Sequence, residues 1–408
     1  MISVEEARRR IIQAMRPMAP EQVSLKDALG RVLAEDVASR RTQPPAAVSA
    51  MDGYAVRAED VARLLVKLKI IGYSQAGGAH DGVVGPGETV RIFTGAPVPD
   101  GADAIVIQEN TDIDDSNPET VTVTEGRALA GRYVRPAGLD FQAGQILLKA
   151  GKALTARDIG LAAGMNVPWL KVRRRPRIAL LATGDEIVMP GDPIGPDQIV
   201  STNGLSLAAF ISAEGGSSID LGIAPDSENA LASMAAGAKG ADMLVTMGGA
   251  SVGDHDLVQK VLGDIGLEVD FWKIAMRPGK PLIFGHLDET PILGLPGNPV
   301  SSMVCAVIYL RAALRAMLVQ NAPESETVEI TLGADLDEND ERQDYLRARI
   351  EAGPDGAPTA MPFNRQDSSM FAHLAHADCL IIRAPFAPSI KAGARVPALP
   401  LTGGIVSI

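Results

Sequence analysis

At 408 residues the chain is too long for one ordinary core, so two to four domains are expected. Hydrophobic residues at 46% against 22% charged exclude wholesale disorder. A net charge of −12, from 38 basic and 50 acidic side chains, argues against nucleic acid or a membrane surface as partner, since both are polyanions.

In chain order, Val4, Ala7, Ile11, Ile12 and Met15 recur at helical spacing and predict an amphipathic helix over residues 4–15. Ser24 with Asp27 three positions on reads as the start of a second helix through Leu25, Ala28, Leu29, Val32 and Leu33. From about 48 to 135 the pattern turns to short β-rich pieces, among them 88–94, 104–108 and 120–124, divided by glycine and proline turns. Beyond the basic run Arg173-Arg174-Arg175, strands (178–183, 217–223, 243–247) alternate with helices (203–213, 226–238, 254–265). A hydrophobic piece near 282–295 and a long helix over about 299–319 complete this stretch. Such alternation predicts a parallel sheet covered by helices on both faces. A break at 320–326 precedes a C-terminal module of short strands with one helical piece, 368–376. No run of about 18 uninterrupted apolar residues occurs, so no membrane span is expected. The acidic start Met1–Ala7 and a cysteine pair (Cys305, Cys379) without CxxC spacing fit a cytoplasmic chain.

In an open parallel sheet, ligands bind at the carboxyl ends of strands. Three loops are expected there: Thr183–Glu186, Gly248–Asp256 and Gly294–Ser302. Glycine at a strand-to-helix turn lets backbone N–H groups converge on an anion, so Gly248, Gly249, Ser251, Gly253, Gly297 and Asn298 are candidate phosphate contacts. The same loops carry Asp185, Glu186 and Asp256, with Asp226 at the next strand end; beside a phosphate these carboxylates call for Mg²⁺. Ordinary helix capping is the alternative for Asp226 and Asp254. Lys273, Arg277 and Lys280 share one stiff turn, suited to clamping an oxyanion, with a solvated charged loop as the alternative. His373, His376 and Cys379 fit a surface helix face better than a metal site. Metal-assisted group transfer therefore fits better than a covalent nucleophile.

Seven motifs in this order resemble one family. They are Ser49-Ala50-Met51-Asp52-Gly53-Tyr54-Ala55, Thr94-Gly95-Ala96-Pro97, Arg135-Pro136-Ala137-Gly138-Leu139-Asp140, Ala182-Thr183-Gly184-Asp185-Glu186, the Gly248–Asp256 loop, Lys273–Pro281 and Leu295-Pro296-Gly297-Asn298-Pro299. Together they resemble the molybdopterin molybdenumtransferase (MoeA) family, which includes the gephyrin E domain. The resemblance implies an α/β multidomain fold. Its parts would be a MogA-like parallel-sheet domain (1–22 and 173–321), an inserted β module (48–135), a small α+β linker domain (23–47 and 136–172) and a C-terminal β-barrel (322–408). It also implies a homodimer that inserts molybdate into adenylyl-molybdopterin with Mg²⁺, releasing AMP. Molybdopterin adenylyltransferase and acceptor molybdoenzymes are the further candidate partners. Carried over by motif, Asp52, Thr94, Glu186, Asp226 and Asp256 are the expected catalytic positions, with Lys273, Arg277, Pro296, Pro299 and Ser368 also in the site. Asp52 and Thr94 belong to the inserted module, and dimerisation would unite them with the α/β loops. Arg277 stands where lysine is common, and Asp367 where glycine is common. A non-catalytic scaffold of gephyrin type and a tungstate-specific insertase remain alternatives. A free-standing adenylyltransferase would not need residues 1–170.

Overall fold

The computed structural model describes residues 1–113, 116–125, 128–248, 261, 263–264, 266–321, 326–353 and 356–401. The chain divides into two compact units. One comprises Met1–Glu35, Ala150–Ile159 and Trp169–Ile408, the other Asp36–Lys149 and Gly160–Pro168.

The first unit is built on a six-stranded sheet in the order Ser217–Ala224, Arg177–Thr183, Met243–Met247, Thr290–Leu295, Pro281–Leu287, Leu267–Lys273. The first four strands run parallel, as alternation with helices predicts. The last two run antiparallel to their neighbours, so the sheet is mixed; the hydrophobic piece near 282–295 is a hairpin turning at Asp288–Glu289. Strand side chains alternate between two cores. Ile178, Leu180 and Ala182 pack on one face with Val4, Ala7 and Ile11 of the helix Val4–Ala14 and with Leu207 and Ile211 of Asn203–Ala213. Ala179 and Leu181 pack on the other with Leu231 and Ala235 of Glu228–Ala235. The helical stretch Pro299–Leu318 contains a π segment at Ala306–Leu310. It is long and apolar enough to cross a membrane, but 78% of its window is buried, which marks it as a core helix. The expected helix over 254–265 falls mainly on residues outside the described set.

The second-helix expectation is corrected. Pro20–Ser24 is a strand, Leu25–Asp27 one 3₁₀ turn, and no helix continues to Leu33. Gly30 has φ +71°, and Leu33 bridges Val172 while Val32 bridges Ala153. Cross-chain pairing thus overrides a weak helical period.

The C-terminal strands Gln343–Ala352, Pro358–Pro362, Val328–Leu332, Arg395–Pro400 and Cys379–Arg383 pair in that order. Cys379–Arg383 also pairs with Gln343–Ala352, which closes a five-stranded barrel. The second unit holds a six-stranded sheet in the order Ala104–Ile107, Gly53–Val56, Glu88–Ile92, Val66–Ser74, Thr120–Val123, Thr111–Ile113.

Candidate active site

Three parallel strands of the first unit stop level with one another: Ala182 pairs with Met247, and Met247 with Leu295. Their loops then touch through backbone. Gly248 N donates to Leu295 O at 3.2 Å. Gly248 has φ +94°, and a Cβ there would stand 3.0 Å from the Thr183 carbonyl oxygen, so the turn requires glycine. A Cβ on Gly297 would lie 3.6 Å from the Gly248 Cα. Asn203, opening its helix, donates through Nδ2 to Gly297 O at 2.8 Å. Gly248, Pro296, Gly297, Asn298 and Pro299 therefore share one edge with Asp185 and Glu186. Gly249, Ser251, Gly253, Asp254 and Asp256 lie outside the described residues.

Asp185, Glu186 and Asp226 are exposed, and none has a cationic partner among the described residues. The Glu186 carboxylate folds back over Gly184, where a Cβ would stand 2.4 Å from Oε2. Asp226 N donates to Asp185 Oδ1 at 3.1 Å, which ties the two loops. The capping reading of Asp226 is corrected: Ser227 caps this helix, accepting from Ala230 N, and the helix starts at Glu228. Among the described residues no group of three His, Cys, Asp or Glu side chains could by itself hold a metal ion. His373 stacks on Phe363 at 4.7 Å.

Two successive antiparallel pairings bring Lys273 to the same edge. Leu267–Lys273 runs opposite to Pro281–Leu287, which runs opposite to Thr290–Leu295. Lys273 pairs with Pro281, and the register Ile283↔Gly294 extends to place Pro281 level with Pro296. Lys273 is then about 10 Å from that loop, two strand spacings away. The following turn is anchored at Gly279, φ +110°, where a Cβ would stand 2.5 Å from Cys305 Sγ in the core helix. Arg277 pairs with the barrel: its Nη2 donates to Asp344 and, at 3.2 Å, to Asn339 Oδ1, and its Nη1 lies 3.4 Å from Asp340. Lys280 has no anionic partner among the described residues.

The barrel delivers Ser368 to the start of the core helix. Asn298 Nδ2 donates to Ser368 Oγ at 3.0 Å, and Val300 N donates to Ser368 O at 3.1 Å. Sequence reasoning missed what holds this loop. Arg347, 1% exposed, donates from its backbone N and its Nε to Gln366 Oε1, while Gln366 Nε2 donates back to Arg347 O. Arg347 Nη1 also donates to Met370 O at 3.2 Å, so both ends of the loop rest on one buried guanidinium.

In the second unit, Asp52 Oδ1 accepts from Thr94 N at 2.7 Å and from Thr94 Oγ1 at 2.8 Å. Those bonds, helped by Arg91, hold the carboxyl below the usual aspartate range. A carboxyl lowered on folding contributes stability above its unfolded value, near 3.9, and that contribution fades as pH falls through the folded value. Thr94→Val should move the Asp52 titration upward in a carboxyl-detected NMR experiment. An unchanged midpoint would mean that the pair is not formed in solution.

Three family descriptions match successive parts of the chain. They are the MoeA N-terminal region (domain I and II) over residues 2–165, the probable molybdopterin binding domain over 179–316, and the MoeA C-terminal region (domain IV) over 329–401. A molybdopterin molybdenumtransferase of Haemophilus influenzae is 32% identical across 98% of this chain and 98% of its own. One from Nostoc sp. is 38% identical over 73% of this chain and 69% of its own. The solved structure of the molybdopterin biosynthesis MoeA protein from Pyrococcus horikosii superposes with a TM-score of 0.84 at 29% identity, covering 99% of this chain and 100% of that one.

Proposed function

The chain belongs to the molybdopterin molybdenumtransferase family, and from that premise we propose that it inserts molybdate into adenylyl-molybdopterin, releasing AMP and giving molybdenum cofactor. The observation that carries this reading is the common edge: the Thr183–Glu186, Gly248 and Pro296–Pro299 loops and Lys273 all end there. Backbone N–H groups at such an edge suit the phosphate oxygens of the adenylylated pterin. In a chain of net charge −12, Lys273 and Lys280, with the remaining donors of Arg277, supply the local cations an oxyanion needs. Ser368, seated on Asn298, gives the loop a hydroxyl.

Mg²⁺ fits the residues present: Asp185 and Glu186 are hard oxygen donors without a cationic partner among the described residues, as this ion prefers. Bound there, it would neutralise phosphate charge that the acidic loops would otherwise repel. In our reading Glu186 and Asp185, with Asp256 as a further ligand, would hold that ion, and the Asp226 backbone N–H steadies Asp185. Asp52 and Thr94 act with them in a homodimer located in the cytoplasm.

Purified protein given adenylyl-molybdopterin, molybdate and Mg²⁺ should release AMP and form cofactor in equal amounts. A scaffold of gephyrin type would release none, and faster AMP release with tungstate would move the oxyanion preference. Light scattering should report twice the 42.7 kDa chain mass; a fully active monomer would remove the dimer.

A further inference from the structure

Lys273 differs from Arg277 in what holds its charge. The Arg277 guanidinium is met by Asp344, Asp340 and Asn339. The Lys273 ammonium meets no carboxylate among the described residues; it lies 3.9 Å from the ring centroid of Trp272. The backbone on either side is fixed, because Lys273 pairs with Pro281 and its carbonyl accepts from Ile2 N at 3.1 Å. The neighbouring Phe271 is buried against Phe284 at 5.5 Å, so the strand that carries the indole is anchored in the core. What remains free is the four-carbon stem of the lysine, and the ring is the one described group that restrains its end.

We infer that Trp272 is a positioning residue for Lys273, holding the ammonium at the carboxyl edge of the sheet without neutralising it. This rests on the proposed role of Lys273 as an oxyanion-binding cation. The choice of an aromatic face follows from electrostatics. A carboxylate would restrain the lysine equally well, but it would cancel the charge and compete with an incoming anion. A ring attracts a cation through its quadrupole and carries no net charge, so the field that an anion sees is preserved. Trp272 is 38% exposed and Lys273 half-buried, so the pair sits at the surface of the sheet edge rather than in the core.

The test uses the whole chain, with molybdate alone and AMP alone as binding probes and turnover of adenylyl-molybdopterin with Mg²⁺ as the kinetic readout. Trp169 and Trp272 are the two tryptophans, so Trp169→Phe leaves Trp272 as the sole indole reporter. In that background molybdate should change the Trp272 emission, and Lys273→Met should abolish the response. Without the reporter substitution, Trp272→Leu should raise the KM for molybdate about 2- to 5-fold with kcat nearly unchanged, and Trp272→Phe, which keeps a π face, should restore most of it. If Lys273→Met weakens molybdate binding but Trp272→Leu does not, the positioning role is wrong while the role of the lysine stands. If Lys273→Met leaves molybdate binding untouched, the reading of the lysine itself fails. If Trp272→Leu weakens AMP alone, the ring touches the nucleotide directly, and positioning is again overturned.

Discussion

Glu186→Gln should lose about 100-fold in turnover, roughly 3 kcal/mol of transition-state stabilisation, and keep its melting temperature. The separation of the two effects follows from how the loop is held. Glu186 is anchored by its backbone: Ile199 N donates to its carbonyl at 2.7 Å. Its carboxylate is exposed, folds over Gly184 and has no cationic partner among the described residues. The amide has nearly the same shape, so the turn should survive. What disappears is one negative charge at an edge where the proposed Mg²⁺ would be held to offset phosphate charge. The variant should also need more Mg²⁺ for half-maximal rate, whereas a loop defect would lower the melting temperature at any Mg²⁺ concentration. Wild-type turnover in saturating Mg²⁺ would place Glu186 outside the reaction.

Arg277→Ala should be the more damaging change to stability, by about 2–3 kcal/mol, because it strands a buried carboxylate. Asp344 is 4% exposed, and its Oδ1 has no hydrogen-bond donor. Burial already pushes this carboxyl above the usual aspartate range, with Arg277 opposing the shift. Because the Arg277 side chain is itself 46% exposed, the loss is set below that of a fully buried pair. The sign with pH is distinctive. A carboxyl whose folded value lies above the unfolded one binds its proton more tightly in the native state, so it costs stability at neutral pH and stops doing so once protonated. The melting deficit of Arg277→Ala should therefore shrink as pH falls from 7 toward about 4. The double variant Arg277→Ala/Asp344→Asn should be more stable than Arg277→Ala alone. A deficit independent of pH would show that lost packing, not the stranded charge, is responsible.

The helix Asn203–Ala213 and the strand Met243–Met247 fall where their residue patterns place them, because each is a compact apolar run bounded by glycine and polar turn residues. The loops at the sheet edge were legible for the same reason. Glycine at a strand end is a local steric demand, and Gly248 at φ +94° meets it. The run 24–33 was misread because its apolar residues serve cross-chain bridges to Ala153 and Val172. Nothing local announces that Arg277 meets Asp340 and Asp344, more than 60 positions away. Nor does spacing show that two antiparallel turns of the chain return Lys273 to the edge of Pro296, or that Arg347 carries the Ser368 loop. Backbone conformation and periodicity are properties of neighbours in sequence, so the chain states them directly. Charge pairing and register depend on which distant strands close the sheet and the barrel, and only the assembled fold decides that.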